Sequence, residues 1–358
     1  VAVVLVCLAP LNVVSDQFSK YFSEELPIRT DTDFTDENLG GLYRIEYSLD
    51  AGISQGISNP EYLKTIDEFA EWYRSQEHVA HVSTYTDIIK QLNQTLHGGD
   101  ETFYRLPETQ ELSAQYLLLY ELSLPLGLDL TNMLSFDKSA SRFIVSLPSL
   151  QTFRFIELQE RGRAWLEEHA PNLAQEGSSL SLMFTHIGKR AMIGGVKGAS
   201  VALVLIAIAL IFAFRSVKMG LISIVPNLLP GATGFGVWYL LSGEIGMSLS
   251  MVLSITMGIV VDDTVHFLSK YLRARKTQSA EDAVRYAFRS VGVALWVTTL
   301  VLVVGFLTLA SSDFKLNSDM GTLVSIVIAI ALVFDFILLP PLLIQLNAGE
   351  SEYQANTA

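Results

Sequence analysis

The chain has 358 residues, of which 50% are hydrophobic and only 17% are charged, a composition that favours an integral membrane protein over a soluble one. Residues 15–190 hold 27 acidic and 14 basic side chains and the rest of the chain holds 10 of each, so the net charge of −13 belongs to the first half. An acidic region without clustered Lys and Arg argues against nucleic acid as a partner. The single cysteine, Cys7, excludes an internal disulfide and a cysteine-based metal site.

The chain begins with an apolar run, VAVVLVCL, that ends before Pro10. A secretory signal peptide would have a basic n-region and a small-residue cleavage site, and neither is evident here. We therefore interpret residues 1–9 as the end of a truncated transmembrane helix, and we expect the chain to be a fragment of something larger.

Residues 10–190 are predicted to form a water-exposed α+β domain, because alternating polar and apolar residues indicate strands and capping residues such as Asn59, before Pro60, indicate helices. The expected elements are an extended lead ending in a turn at 40–41, a strand at 42–49, a helix at 59–76, a strand at 79–89 that runs into a short helix ending at 98–99, a helix at 107–122, a hairpin within 132–147, a helix at 151–169 and a strand at 180–185. Two strand-helix-strand units in this order predict two ferredoxin-like lobes.

The second half of the chain contains five apolar stretches that can each cross a bilayer as a helix. They lie at 196–214, 221–241, 247–268, 291–310 and 321–346, and a polar tail follows at 347–358. The loops at 215–218 and 270–289 are basic, and the positive-inside rule therefore places them and the tail in the cytoplasm. The domain at 10–190 is then expected on the opposite, periplasmic face. Apolar residues within 277–289 predict an amphipathic helix on the inner membrane surface.

Asp262 and Asp263 are adjacent carboxylates inside the third span. A charge inside a bilayer costs at least a few kcal/mol, and intramembrane acids usually serve ion or proton pathways. The two acids precede Lys270 by eight and seven residues, or about 10 to 12 Å along a helix, which is close to the midplane. Two carboxylates this close are not both ionised at low cost. We therefore predict a proton relay; the alternative is a structural pair that is hydrogen-bonded to a neighbouring helix.

Other residues of the spans accompany the two acids. His266 lies one turn after Asp262 on the same helix face, where it either relays protons or is simply packed or hydrated. Pro226 and Pro230 interrupt the second span and predict a kink that serves either packing or a hinge. Gly258 and the glycines of GATGFG allow close contact between helices.

Motifs for enzymatic or nucleotide chemistry are absent from the sequence, which has no P-loop, HExxH, GxSxG or Cys/His ligand set. His78 and His81 lack a third ligand nearby and are interpreted as surface histidines. The sequence therefore predicts neither an enzyme nor an ATP-driven pump, and no cofactor or metal. The proton gradient is the expected energy source.

Several motifs resemble one half of an RND (resistance-nodulation-division) superfamily transporter, namely GIVVDDTVHF before a basic loop, FRS after the first full span, PN..P in the next, and one span before and five after a large extracytoplasmic domain. The stretches SDQFSKYF, DKSASRF and HFLSKYLRARK are most similar to its MMPL branch. With its clipped first helix and polar tail, the chain resembles the C-terminal half.

This resemblance implies a proton-driven exporter of lipidic or hydrophobic compounds in the bacterial inner membrane, with a porter-like domain at 10–190. It implies as partners the other half of the transporter or further copies of the chain, and a periplasmic protein. Thr298 and Thr299 match the position where family members place hydroxyls facing the acids, although threonine also bonds its own helix backbone. Asp335, an acid of the last span, either joins the relay or faces a partner helix.

The chain departs from the drug-efflux branch of that superfamily, because its spans have no Lys or Arg that could pair with the two acids. The resemblance therefore does not imply that branch's relay. Two other functions also stay open. One is a sterol-sensing-like regulatory module that binds lipid without pumping. The other is a protein-export accessory subunit of the same superfamily, whose extracytoplasmic domain is generally smaller than the one predicted here.

Overall fold

The computed structural model describes residues 1–125 and 129–345, which divide into two units. The α+β unit comprises Gln17–Ser19 and Glu24–Ile187. The helical unit comprises Val1–Asp16, Lys20–Ser23 and the described residues from 188 onward. The predicted tail at 347–358 and the last residue of the fifth predicted span lie outside the described residues.

The described residues form eleven α-helices and five strands. The N-terminal segment of the helical unit contains α1 (Ala2–Leu8) and β1 (Val13–Val14). The α+β unit contains α2 (Pro27–Asn38), β2 (Tyr43–Asp50), α3 (Pro60–Arg74), β3 (His81–Ser83), α4 (Tyr85–Leu96), α5 (Gln110–Ser123), β4 (Ala140–Leu147) and α6 (Thr152–His169). The remaining elements are α7 (Leu180–Phe214), α8 (Val217–Leu241), β5 (Glu244–Ile245), α9 (Leu249–Arg275), α10 (Ala280–Ala310) and α11 (Lys315–Ile337), after which helical turns continue to Gln345.

The α+β unit is built on a three-stranded sheet in the order β2-β4-β3, in which β4 is antiparallel to both neighbours. β2 and β3 are therefore parallel to each other, and α3 connects them as the helix of a split β-α-β unit. β2 alternates buried and exposed residues, and its buried side chains lie in the core of this unit. The start of α3 is capped as predicted, since the Asn59 side chain accepts a 2.8 Å hydrogen bond from the Glu61 N–H.

The predicted α+β class is confirmed, but the second strand-helix-strand unit is not formed in the described part of this unit. The hairpin expected within 132–147 contributes only one long strand, β4, because its first half pairs through a single bridge between Leu134 and Ser141. The strand expected at 180–185 is wrong, because these residues begin α7. The Ser179 hydroxyl accepts a 3.0 Å hydrogen bond from the Leu182 N–H and so starts a helix instead.

The extended lead expected before residue 40 is also wrong in part, because Pro27–Asn38 forms α2. This helix has no buried residues, so it lacks the apolar periodicity that identifies helices in a sequence. Local contacts support it instead: Pro27 occupies the first turn, and Arg29 pairs with Asp33 one turn later at 2.7 Å. The turn at 40–41 is confirmed, since both glycines have positive φ.

Helices α7 to α11 are each long and apolar enough to cross a membrane. The predicted spans at 196–214, 221–241 and 291–310 lie within α7, α8 and α10, whereas the span at 247–268 begins two residues before α9 and the span at 321–346 continues past the end of α11. The surface helix expected within 277–289 is wrong as a separate element. These residues lead into and form the first turns of α10, which Ser279 caps and which buries Ala283, Val284 and Ala287. α9 and α11 both contact α10 and α8, so they lie at the centre of the helical unit.

Glycines of α8 permit close contacts with two other helices. A Cβ at Gly234 would overlap the Val327 side chain of α11, and a Cβ at Gly236 would overlap the Leu5 carbonyl of α1. Small residues at such crossings let helix backbones approach each other closely. The packing role predicted for the glycines of GATGFG agrees with this geometry.

Candidate functional site

Asp262 and Asp263 lie near the middle of α9, the third of the five long apolar helices. Asp262 is thirteen residues from each end of the helix, or about 20 Å. Because successive helical residues point about 100° apart, the two carboxyl groups face different surroundings. The Asp263 residue is 9% exposed, whereas the Asp262 side chain is 72% exposed. The described structure therefore brings only Asp263 into the interior of the bundle.

Asp263 shares that interior with Asp335 of α11. Asp335 is 1% exposed, so its side chain lies inside the helical unit. The Thr264 hydroxyl donates a 3.2 Å hydrogen bond to Asp335 Oδ1 and thereby joins α9 to α11 next to Asp263. The other carboxyl oxygen, Asp335 Oδ2, is buried and has no hydrogen-bond partner among the described residues.

Asp262 and His266 form a second polar pair on the exposed side of α9. Their Oδ1 and Nε2 atoms are 3.5 Å apart, and the two side chains are 72% and 60% exposed. His266 therefore lies on the same face of α9 as Asp262, as the sequence predicts. Within the described ranges, no Lys or Arg forms an ion pair with either Asp262 or Asp263.

Thr298 and Thr299, two adjacent threonines of α10, have different surroundings. The exposed Thr298 hydroxyl donates to backbone carbonyls of its own helix, Ala294 at 3.0 Å and Leu295 at 3.1 Å. Thr299 is buried, and its hydroxyl has no partner in the part of the chain that the structure describes. Of these two residues, Thr299 is the one whose hydroxyl is free to bond an internal group.

Pro226 and Pro230 both lie inside α8, which continues past them. Each proline removes one backbone N–H from the helix ladder. Asn227 lies between them, is 4% exposed, and finds no partner for either amide atom among the described residues. This helix therefore carries a buried polar group at the place where its backbone bonding is weakest.

At Gly258 of α9 an added Cβ would meet nothing described within 4 Å, so the packing role predicted for this glycine stays a prediction.

Sequence reasoning missed Thr264 and Asn227 as candidate site residues. Both stood next to recognised features, Thr264 directly after the two acids and Asn227 between the two prolines. In transmembrane helices, threonine side chains often bond their own backbone, and both threonine and asparagine side chains can bond a neighbouring helix. Only the structure shows that Thr264 bonds Asp335 and that the Asn227 amide has no hydrogen-bond partner among the described residues.

The arrangement is suited to binding and releasing a small cation. Ionisation of a carboxyl group inside an apolar bundle changes the free energy of that conformation by at least a few kcal/mol. Such a change can shift the balance between two conformations of the helices that carry it. No set of three metal-ligating His, Cys, Asp or Glu side chains occurs within residues 1–125 and 129–345.

Comparison with known protein families identifies the chain. The model of the MMPL family matches residues 66–355, which include all five long apolar helices. The chain belongs to the MMPL family. MMPL proteins are multi-pass membrane transporters of the RND superfamily and not enzymes, so the resemblance drawn from the sequence is confirmed.

Individual relatives are distant from this MMPL chain. A membrane protein of Methanocaldococcus jannaschii is 23% identical over 298 residues, which cover 80% of this chain and 72% of that protein. The structure of the hedgehog release protein Disp from the water bear Hypsibius dujardini matches with a TM-score of 0.57 and 15% identity, and covers 96% of this chain. SecDF in its super-membrane-facing form matches over 63% of this chain with a TM-score of 0.43 and 17% identity.

The chain spans 47% of the Disp structure and 30% of the SecDF structure. Because the match to Disp extends over nearly the whole of this chain, the fold is that of one half of an RND-type transporter. The predicted fold class is thereby confirmed.

Proposed function

We propose that this MMPL chain is half of a proton-driven exporter of lipidic or hydrophobic molecules. The observation that carries the proposal is the buried pair of acids, Asp263 of α9 and Asp335 of α11. Thr264, which directly follows Asp263, donates a hydrogen bond to Asp335 and so joins the two helices. Uptake and release of a proton there would change the charge between α9 and α11 and so favour different arrangements of these helices in turn. Asp262 and His266 would connect the interior pair to the exposed side of α9.

The same proposal assigns supporting roles to residues of α8 and α10. Pro226 and Pro230 would act as a hinge, because α8 lacks two backbone hydrogen bonds there and contacts both α9 and α11. Thr299, which is buried whereas its neighbour Thr298 is exposed, would bond an internal carboxyl or water during the cycle.

A hydrophobic substrate is supported by exposed apolar side chains of the α+β unit. In α5, Leu118 and Leu122 are 56% and 76% exposed. Phe136, which is fully exposed, and Leu124 line a nearby cavity of about 370 Å³. Apolar surface of this kind is a common feature of sites that bind hydrophobic molecules. In this proposal the α+β unit lies on the periplasmic side of a bacterial inner membrane and receives the substrate there, together with a periplasmic partner protein.

The experiment is efflux of Nile red, a hydrophobic dye, from cells that produce the full-length protein. Wild type is expected to lower the cell-associated dye, and a protonophore is expected to abolish the effect. Asp263→Asn and Asp335→Asn are expected to lose efflux, because the amide keeps the shape of the acid but releases no proton.

The matched control is Asp319→Asn, which removes a carboxylate from the first turns of α11, where it pairs with Lys315 at 2.9 Å. This variant is expected to keep wild-type efflux. Dye efflux that survives the protonophore, or that survives both buried substitutions, would reject proton coupling. Dye binding without any efflux in the wild type would favour the lipid-binding regulatory module.

A further inference from the structure

The helical unit contains two separate apolar core clusters. One cluster joins the start of α8 to the end of α9, the start of α10 and the residues after α11, and the other joins the end of α8 to the start of α9 and to α11. Buried polar residues lie between the two clusters along all four helices, and we call the following five the polar layer: Asn227 of α8, Asp263 and Thr264 of α9, Thr299 of α10 and Asp335 of α11. Polar side chains of four helices therefore occupy the same part of the bundle.

Asn227 lies on the face of α8 that packs against α11. A Cβ at Gly234 would overlap the Val327 side chain, so these two residues mark a close crossing of α8 and α11. Asn227 precedes Gly234 by seven residues, or two turns, which places both on one face of α8. Asp335 follows Val327 by eight residues, a spacing that also stays on one helix face.

The two helices are antiparallel, which brings Asn227 and Asp335 to the same level. The start of α8 shares a cluster with the residues after α11, and the end of α8 shares the other cluster with α11 itself. Asn227 and Asp335 therefore lie on the same side of the crossing, and each is about 10 to 12 Å from it along its helix.

Asn227 and Asp335 have complementary atoms without partners. Among the described residues, neither Oδ1 nor Nδ2 of Asn227 has a hydrogen-bond partner, and the same holds for Asp335 Oδ2. The two residues are 4% and 1% exposed, so bulk water does not reach them. A buried polar group without a partner destabilises the conformation that contains it, so a bond between these two side chains would be favourable.

We propose that Asn227 is the second hydrogen-bond partner of Asp335, and that its amide changes from donor to acceptor when Asp335 takes up a proton from the relay. An ionised carboxyl group only accepts hydrogen bonds, whereas a protonated one also donates. A carboxamide has both a donor and an acceptor group, so rotation of the Asn227 amide serves either state. The Thr264 hydroxyl continues to donate to the other carboxyl oxygen, Oδ1.

The position of Asn227 connects this bond to the kink of α8. Asn227 lies between Pro226 and Pro230, where the helix lacks two backbone N–H groups. Rotation of its amide would transmit the charge of Asp335 to the part of α8 that bends most easily. Asn227 is therefore a positioning residue, which acts through Asp335 and carries no proton itself.

The inference deepens the proposed function and rests on it, since Asp335 is taken to bind and release the proton. The other ionisable side chain of the polar layer is Asp263 of α9, while Asp262 and His266 lie on the exposed side of that helix. Within the described ranges, no Lys, Arg or His of α8, α9, α10 or α11 is buried. An amide is therefore the available group of α8 that can respond to the charge of Asp335.

The first test is infrared difference spectroscopy of the purified full-length protein between acidic and alkaline pH. The C=O stretch of protonated Asp335 is identified as the band that Asp335→Asn removes. Asn227→Leu, which is similar in size but has no hydrogen-bonding group, is expected to move this band to higher frequency because the carboxyl group loses a bond. Asn227→Gln keeps the amide and is expected to return the band towards its wild-type position.

The matched control is Thr233→Val on the same helix. Thr233 is 3% exposed and its hydroxyl also has no partner in the part of the chain that the structure describes. It directly precedes Gly234 and so lies at the crossing and not at the level of Asp335, and its replacement is expected to leave the band in place. A wild-type spectrum without an Asp335 band, a band that Asn227→Leu does not move, or equal shifts in Asn227→Leu and Thr233→Val would overturn the proposal.

Thermal melting of the variants in detergent provides a second measurement. The double variant of Asn227→Leu and Asp335→Leu is expected to lose less melting temperature than the sum of the two single variants, because removal of both partners leaves neither of them unpaired. Thr233→Val combined with Asp335→Leu is expected to be additive. Additive losses for Asn227→Leu and Asp335→Leu would also contradict the proposal. Neither measurement depends on transport, so absence of Nile red efflux together with the expected spectra and melting temperatures would reject only the proton-coupled export.

Discussion

Thr264 joins two helices of the helical unit through a single hydrogen bond to Asp335. Thr264→Val is expected to lower the free energy of unfolding by about 1–3 kcal/mol, because the buried carboxyl oxygen loses its described donor. The matched control is Thr256→Val on the same helix, whose equally buried hydroxyl donates to the Val252 carbonyl within α9 at 2.8 Å. Thermal melting in detergent checks the difference. Equal losses of stability in the two variants would show that the bond to Asp335 contributes no more than the bond within α9.

Tyr47 and Tyr73 give the α+β unit a dependence on alkaline pH. Their hydroxyls lie 2.6 Å apart in the core, burial raises the pKa of Tyr47 to about 12, and burial raises the pKa of Tyr73 well above its usual value. An unfolded phenol ionises near pH 10. The unfolded state therefore loses its proton first, and the free energy of unfolding falls as the pH rises from about 10 to about 12.

Unfolding followed by circular dichroism at about pH 9 and about pH 11.5 checks this expectation. Tyr47→Phe removes one of the raised pKa values and is expected to show a smaller loss between the two pH values, although it is less stable than wild type at the lower one. An identical loss in both proteins would mean that Tyr47 ionises equally easily in its folded and unfolded states.

The acids of the candidate relay could be found from the sequence, but their surroundings could not. An acid in an apolar span is conspicuous by its chemistry alone, and Asp262, Asp263 and Asp335 were found in this way. Which of them faces the interior depends on how α9 is rotated against α8 and α11. That rotation is set by side chains far along the sequence, and two adjacent acids share every local feature.

At the scale of single elements, α8 combines two internal prolines with contacts to both α9 and α11. Replacing Pro226 and Pro230 with alanine restores two backbone N–H groups and is expected to stabilise the helix in a straighter form. If the pair acts as a hinge, Nile red efflux slows while protein abundance is unchanged and the melting temperature stays the same or rises. Unaltered efflux would assign the two prolines to packing alone.

Elements whose apolar residues recur at regular intervals or form long runs could be predicted from the sequence. Elements that depend on local polar contacts or on distant partners could not. The alternation of β2 and the long apolar runs of α8 to α11 each identify their element directly. α2 has no buried face, so its ion pair and turn residues were too weak a signal. Residues 180–185 have an apolar-polar pattern too short to separate a strand from the start of α7.

At the scale of the whole molecule, the charged loops predict the orientation of the chain in the membrane. In a Cys7→Ser background, Glu108→Cys in the α+β unit is expected to react with a membrane-impermeant maleimide added to intact cells. Gln278→Cys, exposed between α9 and α10, is expected to react only after permeabilisation. Equal labelling of both positions, or labelling of Gln278→Cys alone in intact cells, would contradict the predicted orientation.

The overall class of the molecule followed from composition, because acidic and apolar residues are separated into two halves of the chain. The number of lobes did not follow from composition. Two strand-helix-strand units were predicted, but the described α+β unit has one three-stranded sheet, which β4 completes. Strand pairing joins residues that are distant in sequence, such as Tyr43 and Leu147, and local patterns do not specify such partners.

Proton flux in proteoliposomes tests the central claim most directly. Purified full-length protein is reconstituted with a trapped pH-sensitive dye, a pH gradient is imposed, and its decay is followed with and without Nile red. Wild type and Asp319→Asn are expected to dissipate the gradient faster when Nile red is present. Asp263→Asn and Asp335→Asn are expected to lose this acceleration by roughly tenfold or more, a barrier change of about 1.4 kcal/mol or greater. Wild-type acceleration in the two buried variants would contradict the assignment of these acids as the proton-carrying site.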